Sequence, residues 1–283
     1  MRFRIVPVLL ATVLALTAAV LHAGWNISIK QTSDRFLALW AQFLFAGCLA
    51  LSSLAIWSIV DGIPDIAWRW AIFSGLGHLP YAVLLARSYD RSDLSVTYPI
   101  ARGGGALGAA VLGVIVLNDD LSTLSIGGIA ILMCGMWMLT LGQSKRHVMP
   151  ALGVAVTIGV YSVIDAYGAR QSNPLAFSFS VFISGAMTIS IWAVATRAGE
   201  LRKFVATSWK TSAIGGLMSL CAYSLVLIAV THAPLGYVAS LRESSVVIAA
   251  FAGWRMLGEG DHKRRLIAAE IVVLGLVVLV LGR

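Results

Sequence analysis

Apolar residues run along this chain in long stretches, each ended by a short cluster of charged residues, proline or glycine. Ten such stretches fall near 5–29, 36–59, 68–88, 94–117, 123–142, 150–168, 175–196, 209–231, 235–257 and 265–282. A bilayer-spanning helix needs about 20 apolar residues and a barrel strand only about ten, so stretches of this length are helical. Helices and closed barrels are the only structures that satisfy every backbone group in lipid. The pattern therefore predicts an all-α membrane protein with ten transmembrane helices. Connections such as Asp61-Gly62-Ile63-Pro64-Asp65 and Asn118-Asp119-Asp120 are too short to fold on their own.

Positions about 140 residues apart carry like residues, which predicts two copies of one five-helix unit. Lys30-Gln31 matches Arg170-Gln171, Gly75 matches Gly215, Ala82 matches Ala222 and Arg102 matches Arg242. The series continues through Gly113 with Gly253, Leu117 with Leu257 and Gly135 with Gly275. Charged residues are scarce here, so the Arg102/Arg242 and Lys30/Arg170 pairs carry the most information. The expected division is residues 1–142 and 150–283, joined by a linker at 143–149. A unit with an odd number of spans returns to the membrane from the opposite side, so the expected halves are inverted. Inverted repeats recur in secondary transporters, with the substrate site between the copies. Arg2 and Arg4 before an apolar run also fit a secretory signal peptide. The repeat instead sets the first segment opposite the sixth and counts it in the fold.

Composition agrees with the pattern: 59% of the 283 residues are hydrophobic and 12% charged, against about a quarter charged in soluble domains. The net charge of +8 does not point to nucleic acid, because no basic stretch interleaved with aromatics lies outside the apolar runs. Lys and Arg instead set orientation. Arg2, Arg4, Arg69, Arg170 and Arg283 gather on one side and the larger set, including Lys145, Arg146, Lys263, Arg264 and Arg265, on the cytoplasmic side. Cys48, Cys134 and Cys221 lie in apolar segments without metal-ligand spacing, as expected of buried free thiols.

His22-Ala23-Gly24-Trp25-Asn26 and Lys30 closing the first helix, with Leu117-Asn118-Asp119-Asp120-Leu121 and Leu257-Gly258-Glu259 after the fourth and ninth, carry a resemblance. In this register they resemble the EamA-type branch of the drug/metabolite transporter superfamily, whose repeats end their fourth helix in an acidic "LGE" step. The first copy departs from that step, with Asn118-Asp119 in place of Gly-Glu. The resemblance implies transport of amino acids, metabolites or drug-like solutes. It implies no shared coupling residue, so the site has to be argued from this chain.

An ionisable group facing hydrocarbon near a helix centre costs at least about 2.5–3.5 kcal/mol, so such groups face the bundle interior and mark pathways. Arg102 and its counterpart Arg242 would point into one cavity, where forked guanidinium donors suit a carboxylate or phosphate. The alternative is structural, with Arg102 paired to Asp165, and Arg242 paired to Glu243 or reaching the interface. Pro99 and Gly103-Gly104-Gly105 either weaken the fourth helix near Arg102 or serve close packing. His22, Trp25 and Asn26 form a polar stripe at the end of the first helix, read as cavity lining or, for Trp25 and Lys30, as interface anchors. His78 and Tyr81, with Tyr223 on the matching helix, add hydrogen-bonding groups and aromatic walls. Tyr161 and Tyr167 carry a weaker signal. Glu243 and Asp165 are the candidates for proton coupling.

These residues predict a secondary transporter of a small polar metabolite, anionic or zwitterionic, working by alternating access. The alternative is an exporter of cationic or aromatic drug-like solutes with proton coupling through Glu243 or Asp165. An intramembrane enzyme is disfavoured by the lack of HExxH, GxSxG or clustered His/Cys, and no P-loop occurs. Neither cofactor nor metal is expected. The expected partners are a small-molecule substrate and the lipid bilayer, with the chain a monomer or homodimer in the bacterial inner membrane.

Overall fold

The computed structural model describes residues 5–91, 94–140, 145–245 and 262–282. Its described residues form nine helices: α1 (Ile5–Gln31), α2 (Arg35–Val60), α3 (Trp68–Arg91), α4 (Leu94–Leu117), α5 (Thr123–Thr140), α6 (Lys145–Gln171), α7 (Pro174–Ala229), α8 (Leu235–Arg242) and α9 (His262–Leu281). The molecule is all-helical, as the apolar stretches require.

The expectation of ten spans in two five-helix halves is corrected. Among the described residues five helices are long and apolar enough to cross a bilayer, through Pro7–Asn26, Arg35–Val60, Ile100–Leu117, Met149–Gln171 and Pro174–Ala229. The stretches in α5 and α9 are shorter, at Thr123–Met138 and Ile267–Leu281. Helix α3 carries Arg69, Ser74, His78, Pro80 and Arg87 among its apolar residues, which dilutes its hydropathy. The expected segment 235–257 begins as α8, only eight residues long, and continues into positions outside the described residues.

Two expected segments, 175–196 and 209–231, fall within the single 56-residue α7. Straight, that helix would run about 84 Å at 1.5 Å per residue, far beyond the hydrocarbon thickness. It is broken at Arg197, whose φ of −144° and ψ of 29° leave the helical region. The chain turns back there, since Ser178 and Ser224 hydroxyls meet at 2.9 Å. Arg197 holds the corner, bridging Asp34 at 2.6 Å and Glu200 at 2.5 Å. Asp34 also caps α2 by accepting from Leu37 N–H at 2.9 Å, so one acid fixes two helix ends.

The surface is turned inside out relative to a soluble protein. Ile59, Ile63, Ile115, Val156, Ile191 and Ile214 point outward, whereas His22, Asn26, His78, Arg102, Asp165, Arg242 and Glu243 are buried. Cys48, Cys134 and Cys221 are free thiols, but they lie on the exposed helix surface rather than in the interior expected for them. Apolar outer faces are what lipid solvates, so a cysteine is no worse placed there than a leucine.

Close helix approach explains several matched glycines. A Cβ on Gly275 would lie 2.5 Å from Leu132 N, and one on Gly135 would lie 2.9 Å from the Ala268 carbonyl, so α5 and α9 meet backbone to backbone. Small residues allow this contact, which supplies the dispersion that holds membrane helices together. Gly275→Leu should therefore destabilise the protein by about 1–3 kcal/mol, the scale of an overpacked core. Thermal unfolding in detergent measures this; an unchanged midpoint would show that the two helices do not meet there.

Candidate functional site

Helix α4 runs unbroken from Leu94 to Leu117, so the glycine run does not weaken it. The glycines serve packing: a Cβ on Gly104 would lie 2.7 Å from Ala155 Cβ, and one on Gly105 would lie 2.5 Å from Ile158. They press α4 against α6 and leave Arg102 pointing inward. The side chains of Pro99 and Lys30 lie outside the described residues.

Arg102 Nη2 donates to Glu243 Oε1 at 2.9 Å, with both side chains buried. This pairing differs from both structural alternatives raised by the sequence, Arg102 with Asp165 and Arg242 with Glu243. Adjacent residues on a helix point about 100° apart, so Arg242 and Glu243 turn to different neighbours. Among the described residues Arg242 makes no ion pair, and its Nε has no hydrogen-bond partner. One Nη of Arg242 lies 3.1 Å from His22 Nε2. The guanidinium sits at the C-terminal end of α8, where the carbonyl dipoles favour a cation.

The stripe on α1 points into this centre. Trp25 Nε1 donates to His22 Nδ1 at 2.9 Å, and Asn26 Nδ2 donates to the His22 carbonyl at 2.8 Å. Trp25 is buried beside His22, so it is no interface anchor.

Beside the charged centre lies a box of rings. His78 stacks on Tyr161 with centroids 4.3 Å apart and meets Tyr81 and Tyr223 edge-on at 6.1 and 5.9 Å. Phe43 and Phe182 close it, at 5.6 Å from His78 and 5.8 Å from Tyr223. The His78 Nδ1 lies 2.8 Å from the Ser74 carbonyl, to which it donates, since a carbonyl only accepts. Tyr223 Oη donates to Asp165 Oδ2, while Oδ1 of that carboxylate has no hydrogen-bond partner among the described residues. Tyr161 joins the two regions, within electrostatic reach of Arg242, Arg102, Asp165 and Glu243.

The sequence reading missed three parts of this arrangement. Tyr161 is central, although no pattern set it apart from Tyr167. Phe43 and Phe182 line the box but look like ordinary core residues. Asp119 and Arg170 form a clamp: Arg170 Nη1 and Nη2 meet the two Asp119 oxygens at 2.7 and 3.1 Å, and Arg170 Nε donates to the Val230 carbonyl at 2.9 Å. Asp119 Oδ2 also accepts from Leu235 N–H at 2.7 Å, capping α8. Arg170 is thus an internal strut and not a free charge for orientation.

Two comparisons bear on this bundle. Residues 146–281 match the EamA-like transporter family. The match covers just under half of the chain and falls on the family that the motifs resemble. The matched stretch contains Tyr161, Asp165, Tyr223, Arg242 and Glu243, whereas His22, Trp25, His78, Tyr81 and Arg102 precede it. A solved structure described only as a crystal structure of a protein superposes with TM-score 0.72 at 16% identity, over 96% of this chain and 97% of that one. At that identity the likeness concerns the fold alone. No curated protein matches the chain. Among the described residues no three His, Cys, Asp or Glu side chains group closely enough to hold a metal.

Breaking a buried pair leaves an uncompensated charge, which costs about 3–5 kcal/mol. Arg102→Gln should lower stability on that scale. The double variant Arg102→Gln/Glu243→Gln should recover most of the loss, because no charge is then stranded. Thermal unfolding of the single and double variants checks this, and a double variant worse than either single one would contradict the pairing.

Proposed function

We propose that this chain is an ATP-independent secondary transporter of a small zwitterionic metabolite, moved by alternating access between residues 1–142 and 150–283. The match of residues 146–281 to a small-molecule transporter family supports the transport class. The substrate class rests on one observation. Arg242 and Asp165 are buried and opposite in charge, close enough to interact electrostatically, yet they make no ion pair among the described residues. A ligand carrying a carboxylate and an ammonium group compensates both at once. Its carboxylate goes to Arg242, its ammonium to Asp165 and the ring faces, and its apolar body to the aromatic walls.

Arg102 has a different role in this reading. It pairs with Glu243 from the other half, so it holds the halves together in this state and adds to the positive field rather than grasping the solute. Alternating access requires such contacts to break and reform. Asn26 braces the α1 backbone beside His22, and His78, Tyr81 and Tyr223 shape the wall.

A second reading is favoured by the rings alone. His78, Tyr81, Tyr161 and Tyr223 around Asp165 also suit a cationic or aromatic solute, with Asp165 or Glu243 exchanging a proton as the solute leaves.

Purified protein in proteoliposomes separates the two when leucine, isoamylamine and isocaproate are compared, since the latter two each lack one of leucine's charged groups. Leucine should be moved best. Arg242→Gln should erase its advantage over the amine by about tenfold or more, the scale of one charge-assisted hydrogen bond. Asp165→Asn should erase its advantage over the acid. Transport of the amine as good as that of leucine in the unaltered protein would favour the second reading.

A further inference from the structure

His22 stands between two groups that can only donate. Its Nδ1 lies 2.9 Å from the Trp25 indole Nε1, and its Nε2 lies 3.1 Å from an Nη of Arg242. Neither an indole N–H nor a guanidinium N–H can accept. A neutral imidazole has one acceptor nitrogen and an imidazolium has none. In every protonation state at least one of the two contacts is therefore donor against donor.

Connectivity decides which contact yields. Trp25 sits three residues from His22 on the same helix, is buried, and holds its ring with centroids 5.9 Å from the imidazole. The α1 backbone enforces that hydrogen bond. Arg242 belongs to α8, whose distance from α1 depends on how two helices pack. Trp25 therefore takes the acceptor, the proton lies on Nε2, and His22 presents an N–H toward the guanidinium.

Resting on the transport reading above, we infer that Trp25 fixes His22 as the Nε2–H tautomer, so that His22 and Arg242 together form a two-donor cradle for a substrate carboxylate. Trp25 is then a positioning residue and His22 a specificity-determining one. Two donors that oppose each other are reconciled by an acceptor placed between them. One carboxylate oxygen accepts from His22 Nε2–H and the other from Arg242, whose buried Nε has no hydrogen-bond partner among the described residues. The same oxyanion relieves the donor opposition and compensates the charge. An amine or neutral amide nitrogen at this position adds a third donor and leaves the conflict in place, so the cradle discriminates by hydrogen-bond polarity as well as by charge.

The test uses the full chain, labelled with nitrogen-15 in histidine and reconstituted in bilayers, with the His22 signals identified by their loss in His22→Gln. The unaltered protein should show a protonated Nε2 and a bare Nδ1. Isocaproate should shift the Nε2 signal, and isoamylamine should not. Trp25→Phe should move the proton to Nδ1 in part or entirely, and should weaken leucine and isocaproate in thermal-shift titrations by about tenfold while leaving isoamylamine unchanged. Glutamine can accept from Trp25 and donate to a carboxylate, so His22→Gln should retain more leucine binding than His22→Leu. A protonated Nδ1 in the unaltered protein would overturn the inference and leave the Arg242→Gln transport result standing. An Nε2–H signal indifferent to isocaproate would also overturn it. Loss of all preference for leucine over its fragments would instead sink the transport reading itself.

Discussion

The ion pair between Arg102 and Glu243 is the contact around which the interior is arranged. Each member is buried in a bundle whose outer surface is built for hydrocarbon, so neither is tolerable without the other. Its geometry also decides the roles of the remaining charges. Because Glu243 turns to Arg102, the adjacent Arg242 is directed away from it, toward His22. Arg102 is engaged by Glu243, and Asp165 is met instead by the Tyr223 hydroxyl, with Ser74 nearby. Arg242 and Asp165 thus remain without an ion pair to each other among the described residues.

That arrangement depends on where α8 starts, which Asp119 fixes from some distance along the chain. The carboxylate of Asp119 is bound by both Arg170 Nη atoms and receives the first N–H of α8, so one side chain fixes the end of α6, the turn after α4 and the start of α8. The turn itself needs Asn118 at φ 53°, a left-handed conformation that asparagine tolerates well. The eight-residue α8 that Asp119 starts ends at Arg242, placing the cation where the helix dipole assists it. The acidic step after the fourth helix therefore has a physical job, and aspartate performs it at position 119.

Much of this was legible in the sequence, because scarcity makes signals clear. An arginine or aspartate in a chain with 12% charged residues has few innocent positions, and burial of His22, Asn26, His78, Arg102, Asp165, Arg242 and Glu243 agrees with reading them as interior groups. Pairings were less legible, since they depend on helix rotation rather than on spacing along the chain. The helix count failed for a related reason. Apolar runs report where lipid can be faced, but they do not report that Arg197 bends one continuous helix. Nor do they show that α8 ends after eight residues. Pro234 followed by Arg242-Glu243-Ser244-Ser245 is a polar interruption that marked the second break. Tyr161 gave no comparable warning, because a tyrosine on a packed helix has the same pattern whether or not its hydroxyl faces a charge.

An uncompensated guanidinium in a membrane interior has to be held in place by something other than an acid. Here the helix terminus supplies part of the compensation, and Glu243 and Asp165 supply a diffuse field without contact. A full ion pair at Arg242 would compensate the charge more completely, but on the proposed reading it would also occupy the group assigned to the substrate carboxylate. The donor opposition at His22 has the same logic at smaller scale: in the proposed cradle, a donor that faces another donor gains a hydrogen bond when an acceptor arrives. On that reading, stability and recognition draw on the same groups in opposite senses. Arg102 is held by Glu243, whereas Arg242 makes no ion pair among the described residues, and it is this second cation that is proposed to meet the ligand.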